Sequence, residues 1–152
     1  MKVLIVEDSL AKEQRIAKLL IERNGVNAAD IAVAKNLTTF YAQTRHESVQ
    51  FDIIVLDMTF GVHGTSGGRE DTAGIEVLQA VLSRGLKTQV IVATQHDRFN
   101  YRQIKIESLD DLNDLLVDWF PDHMRGLVEV DLAESEWESR LADLVDRCIK
   151  CI

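Results

Sequence analysis

Five short apolar runs alternate along the chain with longer stretches of helical period. The runs are residues 3–6, 31–34, 52–56, 89–93 and 126–130, all rich in Val and Ile. Several are nearly continuous in hydrophobicity, the pattern of strands buried on both faces. Between and after them, apolar residues recur at three- and four-residue spacing and predict five helices. Their inward faces are read as Ile16, Leu19 and Leu20; Leu37, Phe40 and Tyr41; Ile75, Leu78 and Leu82; Leu109, Leu112, Leu116 and Trp119; and Trp137, Leu141, Leu144, Val145 and Cys148.

The punctuation supports these boundaries. Ser9 is positioned to cap the first helix and Asn24-Gly25 to end it. Ser108 with Asp111, and Ser135 with Glu138, have the spacing of a capping box. Pro121 closes the fourth helix, because the residue before a proline is pushed out of the α region. Five βα units in succession predict a doubly wound α/β fold, a parallel sheet with helices on both faces. The 152 residues fit one domain, residues 1–152, with no repeat or linker. Two connections are longer than such units need: 58–71, which holds Gly61, Gly64, Gly67 and Gly68, and 95–107, which is basic. Long connections in compact domains tend to carry function.

Charge sharpens this picture. The net charge of −8 argues against a nucleic-acid partner, since such binding relies on Lys and Arg neutralising phosphates. Between Glu107 and Glu138, 11 acids face Arg125 alone. A solvated acidic face is the favoured reading, and a docking surface for a basic partner the other. The N-terminal apolar run is too short for a signal peptide or membrane span, so a cytoplasmic protein is expected. Cys148 and Cys151 are too few for a four-ligand metal site, and Cys148 falls on an apolar helical face. His46, His63, His96 and His123 show no metal-ligand spacing.

The chemistry gathers at strand ends. Glu7 and Asp8 follow the first strand, and Asp57 follows the third in "FDIIVLDM". Ligands of doubly wound sheets bind beyond the carboxyl ends of the strands. If the first and third strands are neighbours, three carboxylates meet at one mouth. Two like charges 4 Å apart repel by about 4 kcal/mol at an effective dielectric of 20. With oxygen ligands alone, Mg2+ is the natural counter-ion.

These residues resemble the receiver domain of two-component response regulators. "VLIVEDS" looks like the family's acidic pair, "IIVLDM" like its phospho-accepting aspartate, and "GIEVLQAV" like the helix that follows. "VIVAT" looks like the fourth strand with its switch hydroxyl. The likeness covers residues 2 to about 94, at family-like order apart from one insertion. It implies a flavodoxin/CheY-like sheet in the order 2-1-3-4-5. Asp57 would be the phosphoacceptor, and Thr94 the switch residue. Asp8, Asp57 and the Thr59 backbone carbonyl would hold Mg2+, with Glu7 acting through water. The protein would be a stand-alone receiver and not an enzyme, beyond its own phosphorylation and dephosphorylation. A sensor histidine kinase or phosphotransfer protein would supply the phosphoryl group, and a downstream protein effector would read it. A homodimer is left open, and no membrane is involved.

The chain departs from the family after Thr94. Where the family places a lysine beyond its fifth strand, "GLVEVD" offers Glu129 and Val130, with Asp131 in place of the usual proline. Leu127 stands at the aromatic switch position, Gln95 follows Thr94, and the insertion after Asp57 removes the usual turn. Two readings of the long connections stand side by side: they supply a replacement cation from among His63, Arg69, Arg98, Arg102 and Lys105, with Lys105 and Arg69 the leading candidates for a phosphate contact, or they serve only to dock a partner. The main alternative is a pseudo-receiver, an interaction module independent of phosphorylation. An FMN binder would need a hydroxyl- and glycine-rich loop where "EDSLAKE" stands. Metal phosphatases usually show a DxD pair, and no GK[ST] ending marks a P-loop.

Overall fold

The computed structural model describes residues 1–46, 48–61, 69–70, 73–95, 99–101 and 104–152; for 60–61, 69–70, 99–101 and 104–105 it describes the backbone. Five parallel strands form the main sheet: β1 (Val3–Val6), β2 (Ile31–Ala34), β3 (Ile53–Leu56), β6 (Gln89–Thr94) and β9 (Met124–Glu129). Their spatial order is β2-β1-β3-β6-β9, which is 2-1-3-4-5 in the order these five strands occur along the chain. The last strand starts two residues earlier than its apolar run, and its pairing with β6 shifts register between Val90 and Ile91.

Alternation along each strand divides the core in two, because successive side chains point to opposite faces. Leu4, Val6, Ile54, Leu56, Val90 and Val92 face the side covered by α2 (Leu37–Thr44), α3 (Ala73–Ser83) and α4 (Leu109–Trp119). Val3, Ile5, Ile53, Val55, Ile91 and Ala93 face α1 (Leu10–Glu22) and α5 (Glu136–Ile149). The helices present the expected stripes, such as Ile16, Leu19 and Leu20 of α1 and Leu141, Val145 and Cys148 of α5. Two expected core positions are solvent-facing instead. Tyr41 is exposed because it follows Phe40 by about 100° of helix, so only Phe40 points inward. Leu82 is exposed at the end of α3, where it lines an open cleft.

The expected caps form at α1 and α4, and α2 has one that was not among those expected. Ser9 and Ser108 accept the backbone N–H of Lys12 and Asp111, and Asn36 accepts that of Thr39. Gly25, past the end of α1, has a φ of 69°, a left-handed conformation that glycine adopts without steric cost. The capping box expected at Ser135 does not form. Its backbone lies outside the extended region typical of a cap, and Glu138 is engaged by Arg15.

The two long connections carry β-hairpins. β4 (Phe60–Gly61) pairs antiparallel with β5 (Arg69–Glu70), and β7 (Phe99–Tyr101) with β8 (Ile104–Ile106). His63, Arg98 and Arg102 lie outside the described residues, as do the side chains of Arg69 and Lys105. The acids between 107 and 138 are exposed except Glu138, which is half-buried, in keeping with a solvated face.

Candidate functional site

The pairing of β1 with β3 brings the site together. Val6 stands opposite Leu56, so Glu7 and Asp57 leave the sheet side by side. The ladder extends through them: Glu7 N–H donates to Ala34 O at 3.0 Å, and Asp57 N–H to Val6 O at 2.9 Å. Both residues are buried, while Asp8 is half-exposed at the rim. Glu7, Asp8 and Asp57 each offer one carboxylate oxygen within 4.8 Å of the other two. An all-oxygen set gathered this closely suits Mg2+, a hard ion that takes one or two carboxylates and fills its other positions with water.

A lysine closes the site from the helix side. Ser9 caps α1, and its N–H donates to Glu7 Oε1 at 3.0 Å. Helical side chains lean toward the N-terminus, so Lys12, in the first turn, points back at the strand mouth. Its Nζ lies 2.6 Å from Glu7 Oε2 and 3.4 Å from Asp57 Oδ1. The lysine is 0 % exposed. The ammonium is thus shared between the two carboxylates, and of its three N–H groups one remains for a ligand.

Burial shapes the acidity here. Loss of solvent, reinforced by Asp57, pushes the Glu7 carboxyl up to about 7, against the opposing pull of Lys12 and the Ser9 N–H. Asp57 is also raised, chiefly by burial and to a smaller degree by Asp8. Lys12 and a hydrogen bond from Thr94 oppose the rise. Thr94 ends β6 and is fully buried. Thr59, two residues beyond Asp57, is buried, and its hydroxyl has no hydrogen-bond partner among the described residues.

At the fifth strand, Thr94 stands opposite Glu129, and Val130 N–H donates to Thr94 O at 2.8 Å. Glu129 is exposed, Val130 buried and Asp131 exposed, so this strand end supplies no cation. Sequence reasoning anticipated that gap but assigned no role to Lys12. The available signal was a lysine on the apolar stripe formed by residues 12, 16, 19 and 20 of α1. A cleft of about 540 Å³ opens at the opposite end of the sheet, beside Gln89, His123 and Arg125, away from the acids.

This fold, with acids at the ends of β1 and β3 and a buried hydroxyl at the end of β6, defines a response regulator receiver domain, and the chain belongs to that family. It is 31% identical over 147 residues to the Detocs response regulatory protein DtcB of Enterobacter cloacae (strain JD6301), covering 93% of this chain and 95% of that protein. Among solved structures it is similar in fold to the phosphorylated cyanobacterial phytochrome response regulator RcpA, with a TM-score of 0.65 at 14% identity, over 99% of this chain and 95% of that one. It is likewise similar to the N-terminal domain of a response regulator/sensory box/GGDEF protein from Carboxydothermus hydrogenoformans, with a TM-score of 0.63 at 18% identity, over 99% and 95%. No protein-family model matches the chain. No helix among the described residues is long and apolar enough to cross a membrane.

Proposed function

We propose that this receiver accepts a phosphoryl group on Asp57 from the phosphohistidine of a sensor kinase or phosphotransfer protein. The observation that carries the reading is the setting of Asp57. It is a buried strand-end carboxylate, hydrogen-bonded by Thr94 and within 4.8 Å of two further acids. In the transfer, a carboxylate oxygen of Asp57 forms an O–P bond as the P–N bond of the donor breaks. The electron pair leaves with the imidazole, which takes up a proton.

Asp8, Asp57 and the Thr59 carbonyl would hold Mg2+ directly, and Glu7 through water. Bound there, the ion neutralises charge gathering on the phosphoryl oxygens, the main requirement of such a transfer. Glu7 and Asp8 repel an approaching phosphoryl group unless that charge is matched. Burial of Asp57 limits attack by water on the acyl phosphate. Thr94 is positioned to exchange its hydrogen bond with the carboxylate for one with the new phosphoryl oxygens, which makes it the reporter of modification. The protein acts as a phosphoacceptor rather than a turnover enzyme. It works in the cytoplasm, and its output passes to a protein effector.

A second reading has one specific observation behind it. Lys12 already supplies a positive charge to Glu7 and Asp57, as expected if the site were only a structural ion pair in a pseudo-receiver. Incubation with Mg2+ and acetyl phosphate separates the two. Intact mass should show one added phosphoryl group, sensitive to hydroxylamine and lost in Asp57→Asn. A wild-type protein that stays unmodified by acetyl phosphate and by a phosphorylated cognate kinase supports the pseudo-receiver.

A further inference from the structure

We propose that Lys12 is the phosphoryl-binding cation of this site, supplying from the first turn of α1 the charge that the carboxyl end of the fifth strand lacks. The inference rests on Asp57 being the phosphoacceptor, and it names the residue that completes that chemistry.

Four observations converge. First, Lys12 is fully buried, although a methionine or leucine would complete the apolar stripe it shares with Ile16, Leu19 and Leu20. Removing an ammonium from water is costly, so a buried lysine needs partners that repay the loss. Second, its partners are Glu7 and Asp57, the residues whose charge matters at the site, rather than a surface acid. Third, the end of the fifth strand offers Glu129, Val130 and Asp131, none of them cationic. Fourth, the ammonium has three N–H groups, and its two carboxylate neighbours, Glu7 at 2.6 Å and Asp57 at 3.4 Å, leave one of them for a further oxygen.

The geometry suits the transfer. Lys12 Nζ stands 3.4 Å from Asp57 Oδ1 before any reaction. When a carboxylate oxygen of Asp57 bonds to phosphorus, the non-bridging phosphoryl oxygens extend beyond it. Rotation of the lysine side chain lets one N–H meet such an oxygen while another keeps Glu7. Glu7 then acts as a tether that holds the ammonium at the mouth. A charge-assisted N–H to oxygen bond of this kind is roughly twice as strong as a neutral one. The role then falls to the helix that follows the acidic pair.

The test uses beryllofluoride, a non-covalent phosphoryl mimic, on the full chain with Mg2+. Binding is read by fluorine NMR, and Mg2+ binding without fluoride is read separately by thermal shift. Wild type should bind both. Lys12→Met keeps the volume of the side chain and should weaken beryllofluoride by about tenfold or more, the worth of one hydrogen bond to a charged group. Its Mg2+ affinity should be unchanged or tighter, because a positive charge has left the site. Lys12→Arg should recover part of the beryllofluoride affinity, and it carries the test if the methionine variant does not fold. Beryllofluoride binding equal to wild type in the methionine variant overturns the proposal and leaves Lys12 as a structural counter-ion. Parallel loss of Mg2+ and beryllofluoride also overturns it, since the lysine would then only hold the acids in place. A wild type that neither binds beryllofluoride nor is phosphorylated by acetyl phosphate refutes the Asp57 reading itself, and Lys12 falls with it.

Discussion

Lys12 Nζ and Glu7 Oε2 stand 2.6 Å apart, joining the first turn of α1 to the end of β1 with almost no exposure to solvent. Removing one partner of a buried pair leaves the other uncompensated, at a cost of about 3–5 kcal/mol. Lys12→Ala should lose stability of that order in urea unfolding of the metal-free protein, because it adds a cavity to two unpaired carboxylates. Combining Lys12→Met with Glu7→Gln should recover much of the loss. Additive losses in the double variant would show that the two side chains do not act as a pair.

Mg2+ should raise the melting temperature of the wild type, since a ligand of the native state alone stabilises it. The gain is about 2.7 kcal/mol when free ion reaches 100 times its Kd. Asp8→Ala and Asp57→Ala should each remove the shift. A shift retained in both variants locates the ion elsewhere.

Gly74, at the start of α3, seats the backbone that carries Asp57. Its N–H donates to Met58 O at 3.0 Å, and an added Cβ would lie 2.7 Å from Met58 Cα and 3.1 Å from Asp57 O. Backbone cannot yield as a flexible side chain does, so Gly74→Ala should cost about 1–3 kcal/mol, the range of an overpacked core. It should also weaken the Mg2+-dependent thermal shift by displacing Asp57. Wild-type stability and Mg2+ response together would show that α3 can move without disturbing the site.

The two cysteines should differ sharply in reactivity. Cys148 is buried on α5, and burial pushes its thiol up to about 11, with Arg125 opposing, whereas Cys151 is exposed. At pH 8 iodoacetamide should label Cys151 alone in the native protein and both thiols after denaturation. The linkage has a definite sign. A thiol whose pKa is raised by folding stabilises the native state fully below pH 9, the ordinary thiol value, and that contribution is lost as pH rises toward 11. Cys148→Ser should flatten the decline in stability over that window. Rapid native labelling of Cys148 would contradict its burial.

By itself, the sequence determined the elements and the acids. Strand runs such as 3–6 and 31–34, the stripe of Ile16, Leu19 and Leu20, and caps such as Ser9 and Ser108 are legible because periodicity and capping depend on near neighbours in the chain. Acids placed directly after apolar strands announced a site for the same reason. Only the tertiary structure decided what those acids meet. The pairing of β1 with β3 sets Glu7 beside Asp57, 50 residues away, and the docking of α1 turns Lys12 into their mouth. Glu138 was lost to the Ser135 cap because Arg15 reaches it across 123 positions of chain. A lysine in a helical stripe and an acid three places after a serine look ordinary locally. Their charges find partners through contacts between distant segments, which near-neighbour patterns do not encode.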